Sequence, residues 1–268
     1  MRRFAWTAAV LVALAGTAAA ADDRDPLTRA RVLYNERRWT AAVAAADQAR
    51  ANPARADSAD LIAARAHLEQ FRESNLAIDL GSARERIRRI NPQRFLPRER
   101  LEFIVGLGET LFLEGSYGAA AEVFDSVLEP SGALAGPERE RVIDWWATAL
   151  DRDARPRTEF ERQAIYQRIR DRMQGELGVT PASTAAAYWL SAAARGQGDL
   201  RGAWAAAEAA WVRAPLGGDR GATLRADLDR LVLGALVLER ARALGQPPDS
   251  VRMEWERFKE RWTGEPPP

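Results

Sequence analysis

Residues that end helices are spaced along the whole chain, and almost nothing between them favours a strand. Ala, Arg, Leu and Glu, which favour helices, dominate the sequence, and no alternating β-branched run adjoins a turn pair such as Asn-Gly. Apolar residues recur at steps of three and four, as at Ile165, Ile169 and Met173. Breaks in this pattern occur at 37–38, 52–53, 91–92, 115–116, 129–137, 152–156, 178–181, 196–198, 215–218 and 245–248. The spacing predicts about twelve helices of roughly 11–24 residues, joined by short turns that make neighbouring helices antiparallel.

A short pattern is repeated at three of these breaks: a turn, then an aromatic residue or leucine, then alanine three residues later. The three copies are Arg38-Trp39-Thr-Ala-Ala42, Ser116-Tyr117-Gly-Ala-Ala120 and Asp199-Leu200-Arg-Gly-Ala203. The small alanine lets two helices approach closely, and a large neighbour such as Phe124 or Trp204 fills the adjacent space. Because one helix pair alone cannot bury its apolar face, the repetition predicts helix pairs stacked on one another.

This repeated pattern resembles the tetratricopeptide repeat, a helix–turn–helix unit of 34 residues. The clearest units are residues 104–130 and 187–215, where Gly115 and Gly198 occupy the turn. The resemblance implies an all-α fold, an α-solenoid in which antiparallel helix pairs form a right-handed superhelix over residues 22–263. A weaker unit runs through Asp79 to Ile90, and we expect helix pairs without the motif at 137–176 and 221–262.

The N-terminal residues have the three parts of a secretory signal peptide. Two arginines follow Met1, an uncharged, mostly apolar run covers 4–16, and Ala18 to Ala20 provide small residues for cleavage. The sequence therefore predicts a signal peptide at residues 1–20 and a periplasmic or secreted protein, with a retained membrane anchor as the alternative. The chain has no cysteine, so a lipoprotein anchor is excluded. Residues 264–268, Gly-Glu-Pro-Pro-Pro, are expected to be disordered.

Composition and motifs argue against several classes of function. The net charge is +1, which does not indicate a nucleic-acid-binding protein. One histidine and no cysteine leave little for a metal site, and no nucleophile, P-loop or zinc-protease motif is present. A transmembrane span after the signal is not expected, since the most apolar stretch, 231–238, is only eight residues long and predicts a buried helix core. We therefore expect no enzyme activity, no cofactor and no metal.

The resemblance also implies a binding surface, because the first helices of such repeats line a concave face that binds a protein or peptide partner. The corresponding positions are Arg31, Tyr34, Asn35, Glu102, Glu109, Phe112, Tyr188 and Arg195. The family's carboxylate clamp of Lys and Asn is not matched, so a peptide C-terminus is not the implied ligand. The sequence predicts a non-catalytic interaction scaffold of the bacterial cell envelope.

Two other functions stay open from the sequence. The chain is alternatively an accessory or catalytic domain that acts on a cell-envelope polymer, or a module that self-associates through apolar helices near 224–244. The adjacent pair Trp145-Trp146 adds one more expectation: neighbouring positions of a helix face different ways, so one ring belongs in the core and the other near a surface.

Overall fold

The computed structural model describes residues 25–128, 134 and 136–263. The predicted signal peptide and the predicted disordered tail lie outside the described residues. Within the described residues there is no strand, and twelve helices account for most of the chain. None of these helices is both long enough and apolar enough to cross a bilayer. The all-helical prediction is confirmed for this part of the chain.

The chain divides into two compact units, Met1–Ser116 and Tyr117–Pro268. The boundary falls in the turn of the predicted repeat 104–130, where Gly115 has a φ of +82°. The first unit contains five helices and a 3₁₀ turn at Pro92–Arg94: α1 Pro26–Asn35, α2 Trp39–Arg50, α3 Ala56–Ser74, α4 Ala77–Arg89 and α5 Pro97–Leu113. Sequence neighbours pack together here, and α3 also contacts α1 and α5.

The described part of the second unit contains seven helices with the same pattern of neighbour packing. They are α6 Tyr117–Leu128, α7 Gly136–Ala154, α8 Glu159–Val179, α9 Thr184–Gly196, α10 Leu200–Arg213, α11 and α12 Pro248–Thr263. Helix α11 is continuous through Asp219–Leu231, a π-helical turn at Val232–Leu236, and Val237–Leu244. A 3₁₀ turn at Ala214–Gly217 precedes it.

Polar side chains cap the N-termini of several helices, as N-cap preferences predict. Thr158 and Glu161 form a capping box at the start of α8, each side chain bonding the other's backbone N–H. The Ser183 side chain accepts from the N–H of Ala186 at the start of α9, and Asp199 caps α10 in the same way. These caps satisfy N–H groups that have no partner inside the helix.

Alanine makes up much of the core of the first unit. Fully buried alanines from α1, α2 and α3 pack in one cluster: Ala30, Ala42, Ala46, Ala63 and Ala66. Such small side chains let helix backbones approach closely, as predicted for the alanine of the repeated pattern. Larger side chains, including Leu27, Leu33 and Ile62, fill the rest of this cluster.

The predicted repeat 187–215 forms the antiparallel pair α9 and α10. Ala203 and Ala207 are fully buried, and Trp204 is 3% exposed. The Ser191 hydroxyl of α9 donates a 2.8 Å hydrogen bond to the carbonyl of Ala203, so the two helices touch at this alanine. The close contact explains why a small residue occupies position 203.

We therefore expect Ala203→Leu to lower the free energy of unfolding by about 1–3 kcal/mol, because added methylenes overpack a filled site. Urea unfolding followed by circular dichroism measures the change. Ala205→Leu on the exposed side of α10 is the matched control, with an expected change within about 0.5 kcal/mol. An unchanged stability of Ala203→Leu would contradict this close packing.

The π-helical turn changes which residues of α11 are buried. The heptad-like spacing of the sequence places Leu231 and Leu238 in the core together with Leu224 and Leu228. Leu224 and Leu228 are buried, but the next buried positions are Val232 and Leu236, whereas Leu238 is 51% exposed. A π turn contains an extra residue, so it rotates the following side chains out of the α-helical register. The predicted buried core at 231–238 is therefore wrong for Leu238.

The tryptophan pair of α7 follows the sequence expectation. Trp146 is fully buried and Trp145 is partly exposed. The Trp146 ring lies beneath two guanidinium groups of α8, those of Arg168 and Arg172, at 5.7 and 5.1 Å from its centroid. Both arginines also bind Asp125 of α6, so this side of the second unit is held by cation–π contacts and ion pairs.

Candidate functional site

Six of the predicted site residues lie on two helices of the first unit, α1 and α5, and α3 lies between them. Arg31, Tyr34 and Asn35 belong to α1, and Glu102, Glu109 and Phe112 belong to α5. The structure adds three side chains of α3 that join the two groups. We use the name charged face for the paired side chains of these three helices: Arg31, Tyr34, Arg65, Glu69, Arg72, Glu99, Glu102 and Glu109.

Arg65 is the centre of the charged face. Its guanidinium lies over the Tyr34 ring at 4.6 Å from the centroid, and its Nη1 donates to Glu102 Oε2 at 2.7 Å. Burial raises the pKa of Tyr34, with the Arg65 charge opposing that shift. Arg65 therefore connects α1 to α5 through one planar side chain that both stacks and donates hydrogen bonds.

Arg72 repeats this connection two turns further along α3. It lies 2.5 Å from Glu69 on its own helix and 3.1 Å from Glu109 on α5. The Glu109 side chain is only 14% exposed. Burial raises the pKa of Glu109 to about 7, although the nearby Arg72 and Arg65 charges act in the opposite direction.

At the other end of the charged face, Glu99 of α5 accepts two hydrogen bonds. Arg31 Nη2 of α1 donates at 2.7 Å, and the Ser58 hydroxyl of α3 donates at 2.8 Å. Asn35 is exposed at the end of α1, and Phe112 is half-buried near the end of α5. Tyr34 and Glu102 thus contact Arg65, Glu109 contacts Arg72, and Arg31 reaches α5 through Glu99.

The ion pairs show the relative direction of α3 and α5. Arg65 pairs with Glu102 and Arg72 pairs with Glu109, so each partner lies 37 residues further along the chain. Moving forward by seven residues on α3 matches the same forward step on α5. The two helices therefore run parallel, with their ion pairs about 10 Å apart along the axis.

The remaining predicted site residues, Tyr188 and Arg195, lie on α9 in the second unit. Tyr188 is half-buried, burial raises its pKa, and its ring contacts Trp189 edge-on at 5.4 Å. Arg195 donates to both oxygens of Glu239 on α11, at 2.6 and 2.9 Å. Trp189 donates to Asp144 of α7 at 2.8 Å, so α9 is tied on both sides by polar pairs.

Polar contacts also join alternate helices of the second unit, at longer sequence offsets than in the first. Trp189 lies 45 residues after Asp144, and Glu239 lies 44 residues after Arg195. Trp189 thus joins α9 to α7, and Arg195 joins α9 to α11. Both units therefore hold their alternate helices together through polar side chains, each unit by itself.

Aromatic, basic and acidic groups on the charged face are mutually oriented before any ligand arrives. These side chains offer ion pairing, hydrogen bonding and aromatic stacking to a partner. Among the described residues, no group of three or more His, Asp or Glu side chains is placed to hold a metal ion. His67 lies on α3, where its Nδ1 is 2.8 Å from Gln70 Oε1 and burial lowers its pKa.

The sequence reasoning missed the contribution of α3. Arg65, Glu69 and Arg72 have the spacing of one helix face, which was visible in the sequence. The weak repeat was identified through its second helix, which is α4, so no positions were transferred to its first helix. Aligning 56–74 as a first helix would have indicated the three side chains.

The burial of Glu109 predicts a pH-dependent stability. Its pKa is about 7 in the folded protein against an ordinary value of 4.5, so the folded state holds the proton longer than the unfolded state. Stability should therefore fall as pH rises from about 4.5 to about 7, and stay reduced above that range. We expect the free energy of unfolding of Glu109→Gln to exceed that of the original chain by about 1–2 kcal/mol at pH 8 and to equal it at pH 4.

Chemical unfolding at both pH values tests this expectation. Glu85→Gln is the control, since Glu85 forms an exposed ion pair with Arg89 on α4. Loss of this ion pair should change the free energy of unfolding by less than about 0.5 kcal/mol. A Glu109→Gln variant that is less stable than the original chain at pH 8 would mean that the ion pair with Arg72 outweighs the burial of the carboxylate.

Comparisons with protein-family models, with curated proteins and with solved structures found no match to this chain.

Proposed function

We propose that this chain is a non-catalytic interaction scaffold of the bacterial cell envelope, which binds a protein or peptide partner through the charged face. The observation that carries the proposal is the network on α1, α3 and α5, where Arg65 stacks on Tyr34 and pairs with Glu102. Arginine and tyrosine are the residue types that most often dominate binding energy at protein interfaces.

The fixed geometry of the charged face favours binding. Arg31, Arg65 and Arg72 each hold a carboxylate of α5, so little side-chain freedom remains to be lost when a partner binds. Mixed charges with half-buried aromatic rings also favour specific recognition over general adhesion, because a partner must match both signs of charge.

The repeat architecture is the second support. The ion pairs show that α3 and α5 run parallel, as the first helices of neighbouring repeats in a solenoid do, with an offset of 37 residues that exceeds the 34 of a tetratricopeptide unit. In such a solenoid the first helices share one face, which is where α1, α3 and α5 carry the network. The envelope location rests on the sequence of residues 1–20.

The experiment compares partner capture by three forms of the mature protein in a cell-envelope extract, using chemical cross-linking and mass spectrometry. The test variant is Arg31→Glu with Arg98→Glu, two exposed positions of α1 and α5 that pair with Glu99 and Glu102. The control variant is Arg84→Glu with Arg89→Glu on α4, which also removes two exposed ion pairs. Both variants change the net charge equally, so general electrostatic effects cancel.

A partner that the original chain and the α4 variant capture, and that the Arg31/Arg98 variant loses, supports the proposal. Equal capture by all three forms would move the binding surface away from the charged face. Capture of nothing by any form, together with a mass in solution that rises with protein concentration, would replace the scaffold proposal with self-association.

A further inference from the structure

A shallow cleft of about 580 Å³ lies in the first unit, where the turn between α1 and α2 meets the end of α3. Its walls include Arg37, Arg38, Trp39, Gln70, Glu73 and Asp79. All six residues are polar or aromatic, and Trp39 is the one aromatic side chain among the lining residues. None of the lining residues belongs to the charged face, although the Trp39 ring packs against Tyr34 of that face at 5.2 Å between centroids.

Hydrogen bonds between the walls hold the cleft in shape. Trp39 Nε1 donates to Glu73 Oε1 at 2.8 Å, and the Ser74 hydroxyl donates to Asp79 Oδ2 at 2.9 Å. Gln70 Nε2 donates to the Thr40 hydroxyl at 3.0 Å, which joins α3 to α2 across the cleft. The groups that face a ligand are therefore already oriented.

Two turns bring these side chains to one rim. Arg37 and Asn75 are the described non-glycine residues with positive φ, at 60° and 58°. The left-handed conformation of these two residues follows the ends of α1 and α3. As a result, Trp39 is the first residue of α2, and Asp79 lies in the first turn of α4. Both turns are short, and they place the start of α2 and the start of α4 beside the end of α3.

The charges of the cleft are balanced. Arg37 and Arg38 supply two positive groups, and Glu73 and Asp79 supply two negative groups. A strongly acidic or basic ligand would meet attraction and repulsion together. Glu73 Oε2, Asp79 Oδ1 and the Arg37 guanidinium form no hydrogen bond with another described residue. They remain as acceptors and donors for a ligand that carries both kinds of group.

We propose that this cleft binds a segment of an uncharged saccharide chain. Sugar hydroxyls both donate and accept, so they match carboxylate oxygens and guanidinium N–H groups in the same site. The C–H face of a sugar ring is apolar and flat enough to lie on an indole such as that of Trp39. The cleft volume is within the usual range for a small-ligand site, and its mostly polar lining suits a ligand rich in hydroxyl groups.

Isothermal titration with two soluble probes tests the proposal: the tetramer of N-acetylglucosamine and the α-1,4-linked tetramer of glucose. We expect at least one probe to bind the mature protein with a Kd on the order of 0.1–1 mM. Arg38→Ala combined with Asp79→Ala should weaken that binding by about tenfold or more. Trp39→Phe, which keeps an aromatic ring against Tyr34, should weaken it as well.

The control is Arg89→Ala, in a second cleft of about 410 Å³ between α3 and α4 whose lining contains no tryptophan, tyrosine or phenylalanine. Its affinity for the probes should equal that of the original chain, and circular dichroism confirms that every variant is folded. Binding of neither probe at about 10 mM would overturn the proposal, as would equal binding by the original chain and the Arg38/Asp79 variant.

This inference does not depend on the scaffold function. The capture experiment changes Arg31 and Arg98, which do not line the cleft. A chain that captures a protein partner but binds no saccharide would leave the scaffold proposal intact, and the reverse result would leave only the saccharide site.

Discussion

Replacing Trp255 with alanine should lower the free energy of unfolding of the second unit by about 3–5 kcal/mol, since a fully buried indole is lost and a cavity is left. Trp255 is 0% exposed on α12. Its ring packs edge-on against Trp204 and Trp211 of α10, at 5.8 and 5.5 Å between centroids. These contacts attach the last helix to the rest of the unit.

A polar contact adds to the expected loss. Trp255 Nε1 donates to Asp229 Oδ1 of α11 at 2.8 Å, and Lys259 binds the same oxygen at 3.0 Å. The Trp255→Ala substitution removes the indole donor, so that of these two donors only Lys259 still binds the Asp229 carboxylate. The indole therefore contributes through its area and through its N–H group.

Trp262→Ala is the matched control, because Trp262 lies on the same helix and is 57% exposed. We expect it to cost less than about 1 kcal/mol. Urea unfolding gives both values, and limited proteolysis shows whether α12 is released first. Equal losses for Trp255→Ala and Trp262→Ala would mean that α12 is not held by its buried tryptophan.

Most helices were predictable because glycine and proline mark their ends. Gly198 and Gly245 take positive φ where the pattern breaks, and Pro156 lies between α7 and α8 as expected. The end of α3 was missed because no glycine or proline marks it: Asn75 provides the left-handed conformation instead. The π turn of α11 was missed because its residues have the ordinary spacing of apolar side chains in an α-helix.

The candidate site was predictable only in part. The resemblance placed Tyr34, Glu102 and Glu109 on first helices, and these residues do belong to the charged face. Their partners Arg65 and Arg72 share one helix face in the sequence, but the glutamate that each one pairs with depends on the register, and the observed offset of 37 residues differs from the 34-residue repeat. The register of one helix relative to the next is set by side-chain packing, and it determines which residues form ion pairs between helices.

The same limit applies to Asp60, a buried carboxylate that joins three helices of the first unit. Its side chain is 3% exposed on α3. Arg50 Nε of α2 donates to it at 3.0 Å, and Arg86 Nη1 of α4 donates at 2.8 Å. An acidic residue in an alanine-rich helix predicts a solvated position, and its two partners lie 10 and 26 residues away.

Asp60→Ala should therefore destabilise the first unit by about 3–5 kcal/mol, the usual effect of removing one member of a buried ion pair. The cost arises because Arg86, whose side chain is 15% exposed, keeps its charge after the carboxylate is gone. Asp47 remains as its second partner at 2.5 Å, but that carboxylate is half exposed and compensates only in part. Chemical unfolding of the variant against the original chain measures the difference.

Asp47→Ala separates the buried contribution from the exposed one, because it removes a carboxylate from the same Arg86 while Asp60 stays in place. We expect it to cost less than about 1 kcal/mol, as for other exposed pairs. If the two variants lose equal stability, the burial of Asp60 does not matter and the arginine charge is the dominant factor. If Asp60→Ala alone is severe, the contact among α2, α3 and α4 depends on this single carboxylate, and α3 holds Arg65 and Arg72 in register through it.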